Sequence, residues 1–357
     1  MSAPVAILAG GTGGHIFPGL AVAQALGERG VPVLWIGAHG RMETRLVPSR
    51  GYLIETIDIA GLRGKGPLAL MSAPFRLMRA VWQARAILRK AEPRAVISFG
   101  GFAAGPGGLA AWLARLPLLV HEQNSRPGVT NRVLSRLACR VLEGFPGSFP
   151  AHIQAQTVGN PVRADIATLP SPGQRLAGRD GALRVLVLGG SQGARALNQS
   201  VPQALAAQSV ALDVLHQCGE SQVQSATDAY AGAGVVAQIV PFIEDMAGAY
   251  AWADVVVCRA GALTLAEICA AGIASVLVPL PSAADDHQTF NAEHLVSHGA
   301  AVRVAEGEGF RMRLTEAIAA LAVDPALRLN QAAAARELAM PDAAQAVADA
   351  VLEEARA

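Results

Sequence analysis

One local pattern occurs twice in the chain and constrains its fold more than any other feature. Val5 to Ala9 is a short apolar run that leads into Gly10-Gly11-Thr12-Gly13-Gly14 and then into a helix-like stretch from Phe17 to Glu28. About half a chain later, Val185 to Leu188 leads into Gly189-Gly190-Ser191-Gln192-Gly193 and a helical stretch from Ala194. A strand, a glycine turn and a helix are the opening of a parallel α/β unit, and two such openings predict two similar α/β halves. Val31 to Ile36, Ala95 to Ser98 and Leu116 to Val120 read as further strands of the first half, and Val255 to Cys258 and Ser275 to Val278 as strands of the second, with Gly261 to Gly272 helical between them. Their apolarity is continuous rather than alternating, the mark of parallel strands buried on both faces. At ~150 residues per domain the length also points to two domains. We place them at 1–160 and 161–340, joined around Val158-Gly159-Asn160-Pro161. Alanine-rich stretches, Leu314 to Val323 and Gln331 to Ala357, read as closing helices, the last of which, about 341–357, can pack back on the first domain.

An apolar content of 52% invites a membrane reading. A spanning helix needs ~18 unbroken apolar residues. The best run, Ile268 to Ala284, is interrupted by Gly272, Pro279 and Pro281. Residues 1–27 lack Lys, Arg, Asp and Glu, yet they have no basic leader and are cut by glycines, so neither a signal peptide nor an anchor is expected. Cys139, Cys218, Cys258 and Cys269 lack C-x-x-C spacing and have apolar neighbours, which predicts buried thiols in a reducing compartment. The net charge of +1 hides an asymmetry, because residues 1–160 hold 17 Lys and Arg against 7 Asp and Glu, and residues 161–357 hold 12 against 21. Between residues 60 and 94, Arg63, Lys65, Arg76, Arg79, Arg85, Arg89, Lys90 and Arg94 face only Glu92. A basic first half seeks an anionic partner.

Glycine turns between strand and helix let backbone N–H groups approach a phosphate, with the helix dipole favouring negative charge. Tight strand-to-helix packing without a ligand is the competing explanation for any one such turn. A third glycine cluster, Gly100-Gly101 with Gly105-Pro106-Gly107-Gly108, follows the Ser98 strand. A dinucleotide fingerprint is absent: Gly11-Thr12-Gly13 continues as Gly14-His15-Ile16, and the next strand ends Trp35-Ile36-Gly37 without an acid. There is no phosphate-loop G-x-x-x-x-G-K-[ST], and no two of the twelve aspartates stand at i and i+2, so a metal-independent reaction is favoured. His294 and His298 have zinc-compatible spacing but no H-E-x-x-H context, and no metal site is expected. His15 stands where a strand-turn-helix directs side chains into a ligand crevice and is a candidate general base; a helix N-cap or a neutral contact to phosphate is the alternative.

Gly10-Gly11-Thr12-Gly13-Gly14-His15-Ile16-Phe17-Pro18-Gly19, His121-Glu122-Gln123-Asn124, Val158-Gly159-Asn160-Pro161-Val162-Arg163, Gly189-Gly190-Ser191-Gln192-Gly193-Ala194-Arg195 and Asp254-Val255-Val256-Val257-Cys258-Arg259-Ala260-Gly261-Ala262 together resemble the MurG family, collinearly across nearly the whole chain. The resemblance implies a GT-B fold, two Rossmann-like domains with parallel sheets facing a cleft. It implies an inverting glycosyltransferase that moves GlcNAc from UDP-GlcNAc to the 4-hydroxyl of MurNAc in lipid I, undecaprenyl-diphospho-MurNAc-pentapeptide, giving lipid II for peptidoglycan. By position it assigns donor contacts to Thr12, Gly13, Gly14, Asn124 and Arg163, to Ser191, Ile243, Ala262, Leu263, Thr264, Leu265, Ala266 and Glu267, and to Gln288, with Asn291 one helical turn on. Glu267 suits a ribose diol; read alone, it is an exposed helical carboxylate. No family contact can be placed on 142–148 or 279–286. The family needs no cofactor or obligatory metal and binds no nucleic acid. It works peripherally on the cytoplasmic face of the bacterial inner membrane.

That setting sharpens the reading of Phe75 to Arg89. At 100° per residue Leu77, Val81, Ala84 and Leu88 form a core stripe, while Phe75, Met78 and Trp82 fall opposite beside Arg79, Arg85 and Arg89. Apolar anchors among arginine stems suit an interfacial helix on anionic lipid, and an ordinary exposed helix is the alternative. Two rival functions stay open from the sequence: a UDP-GlcNAc epimerase of similar architecture, needing no lipid or basic apolar face, and a sugar-nucleotide-binding regulator that keeps Glu267 and Gln288 without requiring His15.

Overall fold

The computed structural model describes residues 3–59, 72–190 and 193–356. The chain forms two compact units, one made of Met1–Val162 with Pro341–Ala357 and the other of Arg163–Met340.

The first unit is built on seven strands, β1 (Val5–Ala9), β2 (Val33–Ala38), β3 (Leu53–Ile57), β4 (Ala95–Gly100), β5 (Leu118–Glu122), β6 (Arg140–Glu143) and β7 (Gln156–Thr157), in the order β3-β2-β1-β4-β5-β6-β7. Every pairing is parallel. Such a sheet must be covered on both faces, and the two-residue period of a strand divides its side chains accordingly. Val5, Ile7 and Ala9 join one core with Trp35 and the helix α1 (Gly13–Glu28), while Ala6 and Leu8 join another with Ala80, Ala84 and Leu88. Helices α2 (Glu43–Ser49), α3 (Ala73–Ala91), α4 (Ala104–Leu113) and α5 (Val129–Leu134) complete the layers.

The second unit repeats the plan with β8 (Leu183–Leu188), β9 (Leu212–Gln217), β10 (Gln238–Val240), β11 (Val255–Cys258), β12 (Ala274–Leu277) and β13 (Val302–Arg303), ordered β10-β9-β8-β11-β12-β13 and again all parallel. Its helices are α6 (Ala164–Ala167), α7 (Pro172–Leu176), α8 (Arg195–Ala206), α9 (Val223–Ala233), α10 (Met246–Trp252), α11 (Ala262–Ala271), α12 (His287–Ser297), α13 (Phe310–Val323) and α14 (Pro325–Glu337). A last helix, α15 (Ala343–Glu354), belongs to the first unit. Its Val347, Ala348 and Val351 pack with Val22 and Leu26 of α1, and Asp349 meets Arg29 at 2.9 Å.

Four expectations need correction. Gln331 to Ala357 is two helices, because Pro341 has no amide hydrogen with which to continue α14. Helix α1 starts at Gly13, directly on the glycine turn, and not at Phe17. Cys218, Cys258 and Cys269 are buried, but Cys139 is exposed in the turn before β6. The core stripe of α3 is Ala80, Ala84 and Leu88; Leu77 shares its side of the wheel but lies a turn earlier and is 43% exposed. No described helix is long and apolar enough to cross a membrane.

Candidate active site

In each sheet the strand order reverses at the strand that carries the glycine turn, β1 in the first unit and β8 in the second. Open parallel sheets bind ligands outside the carboxyl ends of their strands at such a point.

In the first unit, Thr12 is the N-cap of α1, with extended backbone and no side-chain cap bond, and the amides of Gly13 and Gly14 precede the first intrahelical donor, His15 N–H. His15 is the third residue of that helix, which removes the N-cap alternative. Its Nδ1 lies 3.1 Å from the Gly10 carbonyl oxygen and 3.4 Å from Thr12 Oγ1. A carbonyl only accepts, so Nδ1 carries the hydrogen and a neutral ring has its lone pair on Nε2. The Gly100-Gly101 pair packs closely on the first glycine turn. A Cβ on Gly100 would press on the His15 ring at 3.2 Å, and one on Gly101 would collide with the Gly10 carbonyl, so glycine is required at both positions for this contact.

Three buried carboxylates that the sequence reading left without roles organise the loops of this edge. Glu43 accepts the N–H groups of Gly11 and Ala38, each at 3.0 Å. Glu122 accepts from Asn124 N–H (2.9 Å), Asn124 Nδ2 (3.0 Å), Gly128 N–H (3.1 Å) and Asn131 Nδ2 (3.0 Å). It thereby fixes Asn124, one of the predicted donor contacts. Glu143 accepts from Gly147 N–H and Thr157 Oγ1, both at 2.9 Å, and Ser148 in that same loop donates to the Asn124 carbonyl. The 142–148 segment is thus built onto the site's edge. His121 is fully buried; it donates from Nε2 to the Gly159 carbonyl at 2.9 Å and accepts from Gln123, while burial pushes its pKa down to about 4. That bond ties the Val158 to Asn160 segment into the first unit.

In the second unit Gly190 and Gly193 take positive φ, and a Cβ on Gly193 would strike the Cys218 carbonyl. Ser191 lies outside the described residues. Beneath this turn Tyr230 donates to His216 Nδ1 at 2.9 Å, His216 Nε2 donates to Asn198 Oδ1 at 3.0 Å, and Asn198 Nδ2 donates to the Cys218 carbonyl at 3.1 Å. Burial holds the His216 pKa at about 4, which keeps this chain of hydrogen bonds in its neutral form.

Helix α11 begins at Gly261 with no side-chain cap, so the amides of Ala262, Leu263 and Thr264 precede its first internal bond, made by Leu265. Leu263, Thr264 and Ala266 are half-buried, whereas Ala262 and Leu265 face the interior. Glu267 is not an exposed carboxylate: it is 7% exposed, and it accepts from Arg163 Nη2 at 3.2 Å and from the Tyr250 hydroxyl at 3.0 Å. Burial raises its pKa, opposed by Arg163 and the Tyr250 bond. Two predicted donor contacts, Arg163 and Glu267, are therefore one ion pair; Tyr250 went unnoticed because a lone Tyr in a short apolar helix gives no sequence signal. Gln288 Oε1 accepts the Leu280 N–H at 2.9 Å, which anchors the 279–286 loop. Asn291 is fully buried and donates to the Ala260 carbonyl at 3.2 Å, a tie to the start of α11. Ile243 is half-buried in the turn after β10, beside exposed Phe242.

The two sheets and their glycine-turn edges define a glycosyltransferase of the GT-B architecture. Residues 5–143 match the glycosyltransferase family 28 N-terminal domain, and residues 184–347 match the family 28 C-terminal domain. The chain is 64% identical over 353 residues, 99% of its length and 82% of the relative's, to the UDP-N-acetylglucosamine–N-acetylmuramyl-(pentapeptide) pyrophosphoryl-undecaprenol N-acetylglucosamine transferase of Xanthomonas campestris pv. campestris strain 8004. It is 60% identical to the enzyme of the same name from Xylella fastidiosa strain M12, with 98% of this chain and 96% of that one covered. The crystal structure of Acinetobacter baumannii MurG superposes with a TM-score of 0.85 at 41% identity, covering 99% of this chain and 100% of that one. The chain belongs to the MurG family of glycosyltransferases, which are hexosyltransferases.

Proposed function

We propose that the protein transfers N-acetylglucosamine from UDP-GlcNAc to the 4-hydroxyl of MurNAc in lipid I, releasing UDP and forming lipid II for peptidoglycan. The observation that carries this reading is identity of 60 to 64% through 98 to 99% of the chain to relatives named for that transfer. A UDP-GlcNAc epimerase is not favoured, since those relatives are transferases.

In this reading the acceptor oxygen attacks C1 of the sugar as the bond from C1 to the diphosphate oxygen breaks, with inversion. The 4-hydroxyl proton passes to His15 Nε2, in line with the Nδ1–H tautomer set by the Gly10 carbonyl. Amides at the start of α11 stabilise the charge that develops on the diphosphate. Thr12, Gly13, Gly14 and Asn124 in the first unit, and Arg163, Ser191, Ile243, Ala262 to Glu267 and Gln288 in the second, are the proposed donor contacts. Two of the roughly four lone-pair positions of the Glu267 carboxylate are used within the protein, which leaves acceptors for a ribose diol. No cofactor enters the reaction.

We also propose that α3 lies on the anionic cytoplasmic face of the inner membrane, with the enzyme bound peripherally. Supporting this are Phe75, Met78 and Trp82, 72%, 52% and 67% exposed opposite the Ala80, Ala84 and Leu88 stripe. Arg79 is paired with Asp58 at 2.8 Å and Arg85 is half-buried, so the cationic contribution of this face is shared with exposed Arg89. The deciding assay is UDP release from UDP-GlcNAc with and without a lipid I analogue. Release that requires the lipid is expected; release indifferent to it overturns the reading.

A further inference from the structure

One peptide group in the first glycine turn is held from both ends. The Gly11 N–H donates to Glu43 Oε2 at 3.0 Å, and the carbonyl of that same peptide, Gly10 O, lies 3.1 Å from His15 Nδ1. Glu43 is fully buried at the start of α2, and its other oxygen accepts the Ala38 N–H at 3.0 Å. The backbone is shaped to admit it: a Cβ on Gly10 would collide with its Oε1, and a Cβ on Gly37 would stand 2.7 Å from its Cγ. Gly101, at φ +93°, comes so close to Gly10 that any side chain there would displace the same peptide.

We propose that Glu43 is a positioning residue for the transfer reaction, acting on His15 through the Gly10–Gly11 peptide as a carboxylate–peptide–imidazole relay. An anionic acceptor on the N–H polarises the amide and increases electron density on its carbonyl oxygen, since hydrogen bonds in a chain strengthen one another. The richer carbonyl holds the Nδ1 hydrogen more firmly, which fixes the tautomer and makes Nε2 more basic. This is the service a carboxylate bonded directly to an imidazole supplies in a hydrolytic triad. The inference rests on the reading of His15 as base. Strands β1, β2 and β4, which pack on α1, carry no ionisable side chain; α15 contributes Asp349, which meets Arg29 at the far end of α1, and Glu353 and Glu354, which meet Arg140; Glu122 is bonded at 3.0 Å to Asn131 Nδ2, which borders Gly100 as the His15 ring does; and the Arg41 guanidinium lies 5.9 Å over Phe102, whose ring flanks Gly11.

The test is nitrogen and carbon NMR of histidine- and glycine-labelled full-length protein, read beside kcat as a function of pH. In the wild type the Gly11 amide and the His15 ring titrate with a common midpoint. In Glu43→Gln the His15 midpoint moves to lower pH, the Nδ1–H tautomer loses population, and kcat falls about tenfold while KM for UDP-GlcNAc stays within about twofold. A Gly11 amide indifferent to His15 protonation in the wild type overturns the relay even if Glu43→Gln does not fold, as does an unchanged His15 titration in a folded Glu43→Gln. If the coupling is present but His15→Ala keeps full turnover, the base assignment fails and takes with it the role of Glu43 in the transfer, leaving only the physical coupling of Glu43 to His15.

Discussion

The two units share one plan and fix their ligand-side loops by different means. In the first, the carboxylates of Glu43, Glu122 and Glu143 are held chiefly by backbone N–H groups and carboxamides of the loops beside them. In the second, Glu267 is held by two long side chains, Arg163 and Tyr250. A carboxylate held by backbone N–H groups fixes the loop that carries them. One held by a guanidinium and a phenol can share or exchange partners with a polar ligand. In the proposed reading, the first unit therefore offers a preformed backbone surface, and the second offers polar side chains to the donor.

The largest expected effect concerns what the units have in common, a buried neutral histidine in each. His121 and His216 titrate at about 4 instead of the ordinary 6.5. Below pH 6.5 the unfolded chain binds protons that the folded chain refuses, so stability falls as pH drops from about 6.5 to about 4, by about 3 kcal/mol for each histidine. Urea denaturation across that window should show the loss in both units, and a single acid-sensitive transition would break the symmetry. Next comes the contrast itself. Glu122→Gln points an amide NH2 at donors and should cost about 3 kcal/mol of stability, while Glu267→Gln should cost about 1 kcal/mol but weaken UDP binding about tenfold. Equal stability losses with unchanged UDP affinity in calorimetry would remove the distinction.

His15→Ala should lower kcat by about 100-fold or more with little change in donor affinity, because its work lies in proton transfer. Steady-state rates and melting curves on one preparation check this, and a normal kcat ends the claim. On α3, Phe75→Ser and Trp82→Ser should each weaken partitioning to anionic vesicles by about 2 kcal/mol, the burial value of an aromatic side chain, with transfer to a soluble acceptor analogue retained. Equal sedimentation of both variants with the wild type would make α3 ordinary surface. Smallest is Gln288→Ala, expected to weaken UDP-GlcNAc by about 1 kcal/mol and UDP hardly at all, as for one amide contact to the sugar. A comparable loss for both ligands would move Gln288 off the sugar.

The sequence by itself determined the repeated strand, glycine turn and helix, because buried parallel strands are continuously apolar and a phosphate-compatible turn needs glycine. It located β1 and β11 to the residue, and β8 and β12 to within two. It missed β3, β6, β7, β9, β10 and β13, whose short or mixed-polarity runs become strands only by pairing with a neighbour. It brought His15 and Glu267 forward as individual residues, but their partners were beyond it. Glu43 stands far along the chain from His15, and Arg163 lies 104 residues from Glu267. Those associations are set by which strand ends the sheet order brings together. For the same reason, Gly100-Gly101 reads locally only as a third glycine cluster, and its packing on Gly10 and His15 emerges once β4 lies beside β1. Local propensity decides elements; which carboxylate polarises which peptide is decided by the tertiary fold.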